Sequence, residues 1–181
     1  HIKDMSTLKV NSIKDVDGDS LFPTAIIAHQ NTSNTDAGTF TAGAWRTRDL
    51  NAEISDPDGI VSLSSNQFTI IAGDFIIEAF APAIQVNGHQ IRIYDITNSA
   101  LVLNGHASFA GAISSGSESI SHVKARVTNS SSRTFEIQHR CTQTSGGTWG
   151  FGAGTSGGIS WNSGGNPNGV LYTIVKITKV I

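Results

Sequence analysis

The chain has 181 residues, a length that suits one domain. Only 14% of the residues are charged while 38% are hydrophobic and 19 are glycine, a balance that is typical of a turn-rich all-β protein and argues against a disordered chain. The net charge of −2, without any basic run, gives no support for binding to nucleic acid, and no apolar run approaches the roughly 20 residues that insert into a membrane.

The N-terminal segment differs from the rest of the chain because it carries few apolar side chains that could be buried. We expect residues 1–4 to be an expression remnant and residues 5–23 to form an arm that docks on another protein. The sequence DVDGDS at 15–20 contains three aspartates. An EF-hand loop that starts at the first of them would need glycine and an acid where this chain has Ser20 and Ile26. The segment therefore favours a solvated turn over a calcium site, and no metal site is predicted.

The longest apolar run is FTIIAGDFIIEAFAP at residues 68–82. Its alternation of β-branched and aromatic side chains predicts a strand. Gly73 interrupts the alternation and predicts a bulge or a bend within that strand. After the glycine both faces are apolar, so we expect the core of a sandwich to cover one face and a neighbouring subunit to cover the other.

The remaining strand candidates are short and lie at intervals of roughly 8–12 residues, which predicts a β-sandwich or a barrel. Turns are expected at residues 56–59, at Asn87-Gly88 and at Asn104-Gly105. The closing segment is expected to lie in the middle of a sheet. The alternating segments are residues 24–28, 90–96, 101–103, 120–128, 134–142 and 171–181.

A glycine-rich segment at residues 145–169 carries the aromatic residues that are the best candidates for recognition. Trp149, Phe151 and Trp161, together with Asn162, are candidates for stacking on a sugar ring and bonding to its hydroxyls. Alternatively, these aromatic rings pack into the end of the sandwich or into a subunit interface. Trp45, which lies among small residues, is interpreted as a core or interface anchor.

The sequence contains no convincing catalytic signature. The glycine-serine pairs, including GTSGG at residues 154–158, which fits the spacing G-x-S-x-G, lie in low-complexity loops, and H-x-H and H-E-x-x-H are absent. His139 and Cys141 lie two positions apart and are interpreted as buried core residues rather than as metal ligands. Glycosidase chemistry needs two carboxylates that flank one cleft. The strand carboxylates show no such pairing: Asp74, Glu78, Asp95 and Glu136. We therefore predict no enzyme, no catalytic residues, no cofactor and no bound metal.

The order FTIIAGDFIIEAFAP, IRIYDI, VKARVTN, FEIQHRC, GFG and YTIVKI resembles the tumour-necrosis-factor-like, or complement-globular-head-like, jelly roll found in bacteriophage structural proteins. The opening STLKVNSIKDVDG resembles the attachment segments of phage fibre and head-appendage proteins. The resemblance covers residues 24–181. It implies an all-β, ten-stranded jelly-roll sandwich of two antiparallel sheets that assembles as a homotrimer on a virion made in the host cytoplasm.

The resemblance implies a non-enzymatic virion protein that contacts other virion proteins through the arm. We expect a short tail-fibre or receptor-binding knob that adheres to a host-surface glycan. A capsid decoration protein and a free carbohydrate-binding module are the alternatives. The two-sided apolarity near residues 76–80 predicts a trimer interface that includes Phe80, Tyr94 and Tyr172.

Overall fold

The computed structural model describes residues 22–111, 117–154 and 169–180, which form eleven β-strands. The docking arm predicted for residues 5–23, except for its last two residues, and the DVDGDS segment lie outside the described residues. Within the described ranges there is no helix that is long and apolar enough to cross a membrane.

Five strands form one antiparallel sheet in the order β3-β1-β11-β6-β9. The C-terminal strand β11 pairs with β1 on one side and with β6 on the other, so the expectation that the closing segment lies inside a sheet is confirmed. The bounds of these strands are Thr24–Asn31 (β1), Ala52–Ser55 (β3), Gly73–Ile84 (β6), Glu118–Asn129 (β9) and Val170–Val180 (β11).

Six strands form the second sheet, in which β4-β5-β10-β7-β8 is the main order and β2 pairs with the part of β10 that extends beyond β5. The two sheets pack face to face and give an all-β jelly-roll sandwich, which confirms the fold predicted from the sequence. The bounds are Arg46–Thr47 (β2), Val61–Ser64 (β4), Gln67–Ile70 (β5), Asn87–Asp95 (β7), Ala100–Ala110 (β8) and Arg133–Cys141 (β10).

Period-two alternation selects the side chains that fill the core between the sheets. Phe135, Ile137, His139 and Cys141 are all buried, as the pattern of β10 predicts. A second, smaller cluster lies at one end of the sandwich, where Phe40 packs with loop residues. The large core side chains of the main cluster include Phe68, Phe75, Phe135, Ile77, Ile93, Val175 and Ile177.

The long apolar run at residues 68–82 is not one bent strand, and that part of the sequence prediction is wrong. β5 ends at Ile70 in the six-stranded sheet, whereas β6 begins at Gly73 in the five-stranded sheet. Gly73 has a φ of 139°, which residues other than glycine rarely adopt. This conformation lets the chain cross from one sheet to the other. The glycine therefore marks a change of sheet rather than a bulge.

The two Asn-Gly pairs predicted as turns lie within strands, so this part of the sequence prediction is wrong. Asn87-Gly88 begins β7, whose neighbours are β8 and β10, so no hairpin joins it to β6. Asn104-Gly105 lies inside β8. A Cβ atom at Gly105 would collide with the His122 carbonyl oxygen and would lie 2.9 Å from the Val123 Cβ atom. Glycine is present here because β8 approaches β9 closely where the sandwich closes.

Candidate functional site

A cleft of about 530 Å³ opens near one end of the six-stranded sheet. Its size falls within the roughly 300–1,000 Å³ that is usual for small-molecule sites. Gln90 and Arg140 are direct cross-strand partners on β7 and β10, and they form part of its wall. The cleft is also lined by Trp45 of the loop before β2, by Ala107 and Ser108 of β8, and by Thr142, which follows β10.

Trp45 forms one wall of the cleft and is held in place by the outer face of the sheet. The guanidinium of Arg92 lies 4.2 Å from the centre of the Trp45 ring. The Nε atom of Arg92 donates a hydrogen bond of 2.7 Å to Gln138 Oε1, and Gln138 in turn donates to Glu136. Trp45 is half-buried rather than part of the core, so the core alternative of its interpretation is wrong, while the interface alternative stays a prediction. It is a fixed aromatic surface beside an open cleft.

The polar groups of the cleft are only partly used by the fold. Gln90 Nε2 donates a hydrogen bond of 2.7 Å to the Gly105 carbonyl oxygen, which leaves the Gln90 amide oxygen as an acceptor. Ser108 is the cross-strand partner of the buried His89, and its hydroxyl donates to the Ile120 carbonyl oxygen of the opposite sheet at 2.7 Å, so that hydroxyl is directed inward. Arg140 is exposed, and no carboxylate of the described residues lies within ion-pair distance of it. The cleft therefore offers the Arg140 cation and the Gln90 acceptor.

Two histidines are buried beneath this end of the sheet. His89 Nδ1 and His139 Nε2 are 2.9 Å apart, and His89 Nε2 lies 2.7 Å from the Ser119 hydroxyl. Burial, with a smaller effect from the Arg48 charge, lowers the pKa of His89 from 6.5 to about 4. Burial likewise lowers the pKa of His139 well below its usual value. Both imidazoles are therefore neutral near pH 7.

Arg48 is the charge that both histidines sense, and only 1% of its surface is exposed. Its guanidinium donates hydrogen bonds to Thr173 Oγ1 at 2.6 Å and to the Phe151 carbonyl oxygen at 2.9 Å. Burial lowers its pKa, an effect that the neighbouring Asp49 partly offsets. Because its donors are occupied by groups of the fold, Arg48 is a structural cation that ties the end loop to both sheets.

The aromatic residues predicted to bind a ligand have different positions. Phe151 stacks on Phe40 with ring centres 4.3 Å apart, and the guanidinium of Arg48 lies 4.3 Å from the centre of the Phe151 ring. The Phe151 ring is therefore covered by side chains of the same chain. Trp149 is half-buried, and its Nε1 atom donates a hydrogen bond of 2.9 Å to Gln85 Oε1. Trp161 and Asn162 lie outside the described residues. A sugar-binding role for these four residues stays a prediction.

The residues predicted for a trimer interface lie on different surfaces. Phe80 is 40% exposed on the outer face of the five-stranded sheet, whereas Tyr94 is half-buried on the outer face of the other sheet. Tyr172 is only 6% exposed, because it donates a hydrogen bond to the Thr35 carbonyl oxygen and packs near His29. Its own chain covers Tyr172, which the sequence pattern did not anticipate. The interface itself stays a prediction.

The catalytic and metal-binding chemistry sought in the sequence has few candidates in the structure. The described residues hold no cluster of three or more His, Cys, Asp or Glu side chains that is suited to a metal ion. Cys141 is buried, and burial raises the pKa of its thiol to about 11, which disfavours the reactive thiolate. One ring nitrogen of His139 is hydrogen-bonded to His89. These positions act as parts of the packed interior.

Comparison with solved structures defines the class of fold. The globular domain of zebrafish complement 1qA matches 88% of this chain and 97% of its own, with 12% identity and a TM-score of 0.51. Murine APRIL at pH 5.0 matches 88% of this chain and 99% of its own, with 4% identity and a TM-score of 0.54. The chain thus has the jelly-roll fold that these two proteins share. No protein-family model and no curated sequence matches it.

The cleft beside Trp45 is the feature that sequence reasoning missed. Its walls come from a loop and three strands that are distant along the chain, so no local motif marks it. Two features of the sequence could have indicated the cleft. Arg92 and Arg140 lie on the outer faces of strands whose inner faces are mostly apolar, and Trp45 lies outside any strand. Pairing those positions requires the strand order, which the pattern of single strands does not provide.

Proposed function

We propose that this chain is a non-enzymatic jelly-roll knob that assembles as a homotrimer and serves as an adhesive structural protein of a virion. The observation that carries this proposal is an uncovered apolar area on the outer face of the five-stranded sheet. Phe80 lies at its centre and is 40% exposed in the single chain. Large apolar patches on a folded chain mark interaction surfaces.

The area around Phe80 continues across neighbouring strands. Phe80 pairs with Ile174 of β11 and with His122 of β9, whose ring stacks on it at a centre-to-centre distance of 4.5 Å. The adjacent cross-strand pair is Pro82 with Ile120, and Ile120 is 55% exposed. Further along the strands the same face becomes charged, with Glu78 bound by Lys124. A partner that covers the apolar end would therefore meet a charged border.

A second apolar surface follows the edge of the sandwich formed by β8 and β9. Leu101, Leu103 and Phe109 are exposed along β8, and the neighbouring Ser108 bonds to Ile120 of β9. A cyclic oligomer joins two different surfaces of each copy, because each interface is heterologous. An apolar face and an apolar edge on one chain meet this requirement. Three copies that join face to edge would close a ring of the kind implied by the sequence resemblance.

The virion setting is supported by the resemblance of the opening segment and of the strand order to phage fibre and appendage proteins. Within that setting, an adhesive knob and a capsid decoration protein would both use a docking arm and a trimeric head. We favour the knob because the head carries an open cleft with a fixed tryptophan and an arginine that no described carboxylate binds, which a decoration protein does not need. A free carbohydrate-binding module would instead be monomeric.

The assembly is tested by placing a charge on the apolar face. Phe80→Glu is expected to dissociate the trimer, because a buried carboxylate without a partner is costly. Ile71→Glu is the matched control, because Ile71 is also 40% exposed but lies in the connection between β5 and β6. Sedimentation equilibrium of both variants measures the mass. A Phe80→Glu variant that stays trimeric, or an Ile71→Glu variant that dissociates as readily, contradicts the proposed interface.

A further inference from the structure

We propose that the cleft beside Trp45 binds an acidic sugar residue, with Trp45 contacting the sugar ring and Arg140 binding its carboxylate. This inference rests on the proposed adhesive function for its biological role and names the class of receptor. It does not depend on the glycine-rich loop, where the sequence had placed recognition. The geometry of the cleft carries it in three steps.

The first step is the aromatic wall. A tryptophan that binds a sugar must present a fixed surface, because ordering a mobile ring upon binding would cost conformational entropy. Trp45 is already ordered, since Arg92 lies against its ring and is itself held by Gln138. Gln138 is held in turn by the hydrogen bond that it donates to the carboxylate of Glu136. The groups that support Trp45 are not among the described residues that line the cleft, so they leave its wall available to a ligand.

The second step is the charge. Arg140 lines the cleft and has no carboxylate partner among the described residues. No Asp or Glu of the described residues lines the cleft, so these walls would not repel an anionic ligand. An arginine binds a carboxylate through two parallel hydrogen bonds, which fixes the orientation of the ligand as well as attracting it. The one arginine in the described lining matches a sugar residue that carries one carboxylate.

The third step is the polar remainder. The free amide oxygen of Gln90 is an acceptor on β7, between the strands β10 and β8 that also line the cleft. An acceptor of this kind suits a hydroxyl donor of a sugar ring. A simple inorganic anion would use neither this acceptor nor the tryptophan. A purely apolar ligand would leave Arg140 and the Gln90 amide oxygen without partners and would displace the water bound to them.

The experiment measures binding of three probes by isothermal titration calorimetry: trigalacturonate, neutral maltotriose and benzoate. Wild-type protein is expected to bind trigalacturonate more tightly than either of the other two. Arg140→Gln should weaken trigalacturonate binding by about tenfold or more and leave maltotriose binding unchanged. Trp45→Ala should weaken binding of both saccharides. Arg46→Gln is the matched control, because Arg46 is exposed on the neighbouring strand but does not line the cleft.

Several results would overturn the inference. Equal affinity for trigalacturonate and maltotriose removes the role of the carboxylate. Benzoate binding as tight as that of trigalacturonate makes the site a general one for aromatic acids. An unchanged affinity in Arg140→Gln, or no saccharide binding by the wild type, removes the site. The mass of each variant is measured in parallel, so a trimer that binds no acidic sugar refutes this inference while leaving the proposed assembly intact.

Discussion

The buried histidine pair predicts that acid destabilises the fold through one identifiable contact. His89 and His139 lie 2.9 Å apart in the interior, and the pKa of His89 is lowered to about 4 by burial and by the Arg48 charge. In the unfolded chain the same imidazole has a pKa near 6.5. Between these two values the unfolded state binds a proton that the folded state does not accept, so stability falls as the pH falls through this window.

The size of this effect follows from the two pKa values. They correspond to a difference of about 300-fold in proton affinity, or about 3 kcal/mol over the whole window. Within the window the slope approaches about 1.4 kcal/mol for each pH unit, and lowering the pH from 6.5 to 4.5 removes about 2 kcal/mol through His89 alone. The lowered pKa of His139 acts in the same direction. Losses of this size are a large fraction of the stability of a typical domain.

The assay is urea-induced unfolding at pH 7.5, 6.5, 5.5 and 4.5, at one protein concentration because assembly makes apparent stability depend on concentration. His89→Gln lowers stability at neutral pH, but the informative quantity is its pH dependence. The variant should lose about 2 kcal/mol less than the wild type between pH 6.5 and 4.5. His106→Gln, at an exposed histidine of β8, should follow the wild-type curve. Parallel curves for His89→Gln and the wild type would refute the reasoning.

Two further predictions concern the strand contact at Gly105 and the N-terminal arm. Gly105→Ala is expected to lower the free energy of unfolding in urea by about 1–3 kcal/mol, because its Cβ atom would meet the backbone at His122. Gly88→Ala is the control and should be neutral, because the nearest atom to its Cβ would be 3.5 Å away on Thr142. Equal effects of the two substitutions would contradict this packing. Deleting residues 5–22 is expected to leave a folded trimer that is no longer incorporated into virions, as an incorporation assay would measure. Unfolding of the deleted chain would show that the arm belongs to the sandwich.

Alternation along single strands predicted which faces are buried, because that pattern depends only on local geometry. The buried face of β10 and the core positions of β7 both follow their period-two patterns. The assignment of strands to sheets was not available in this way. The run containing Gly73 reads as one strand because both of its halves are apolar, yet the halves belong to different sheets. A crossing between sheets uses the same glycine signal as a bulge.

The candidate site was harder to predict than the fold. Glycine-rich sequence with aromatic residues drew attention to residues 145–169, where Phe151 contributes to the end of the core. The cleft depends instead on the cross-strand pairing of Gln90 with Arg140 and on the position of a loop tryptophan above it. Trp45 and Arg140 are 95 positions apart, so their proximity follows from the sheet order and from no local pattern.

Assembly and recognition would act together if both proposals hold. A single cleft with one tryptophan and one arginine gives weak binding, because few groups contact the ligand. Three such clefts on one trimer raise the apparent affinity for a surface that carries many copies of the sugar. The cleft opens on the six-stranded sheet, whereas the apolar area around Phe80 lies on the other sheet. Phe80 itself is therefore not a wall of the cleft.

The mass of the unmodified protein in dilute solution tests the central claim most directly. The chain has a mass of 19.1 kDa, and we expect the interface of the proposed trimer to bury about 2,000 Å² or more, as obligate interfaces do. Sedimentation equilibrium at micromolar concentration is expected to give three times the mass of the chain, without dissociation on further dilution. A species of 19.1 kDa under these conditions would contradict the account.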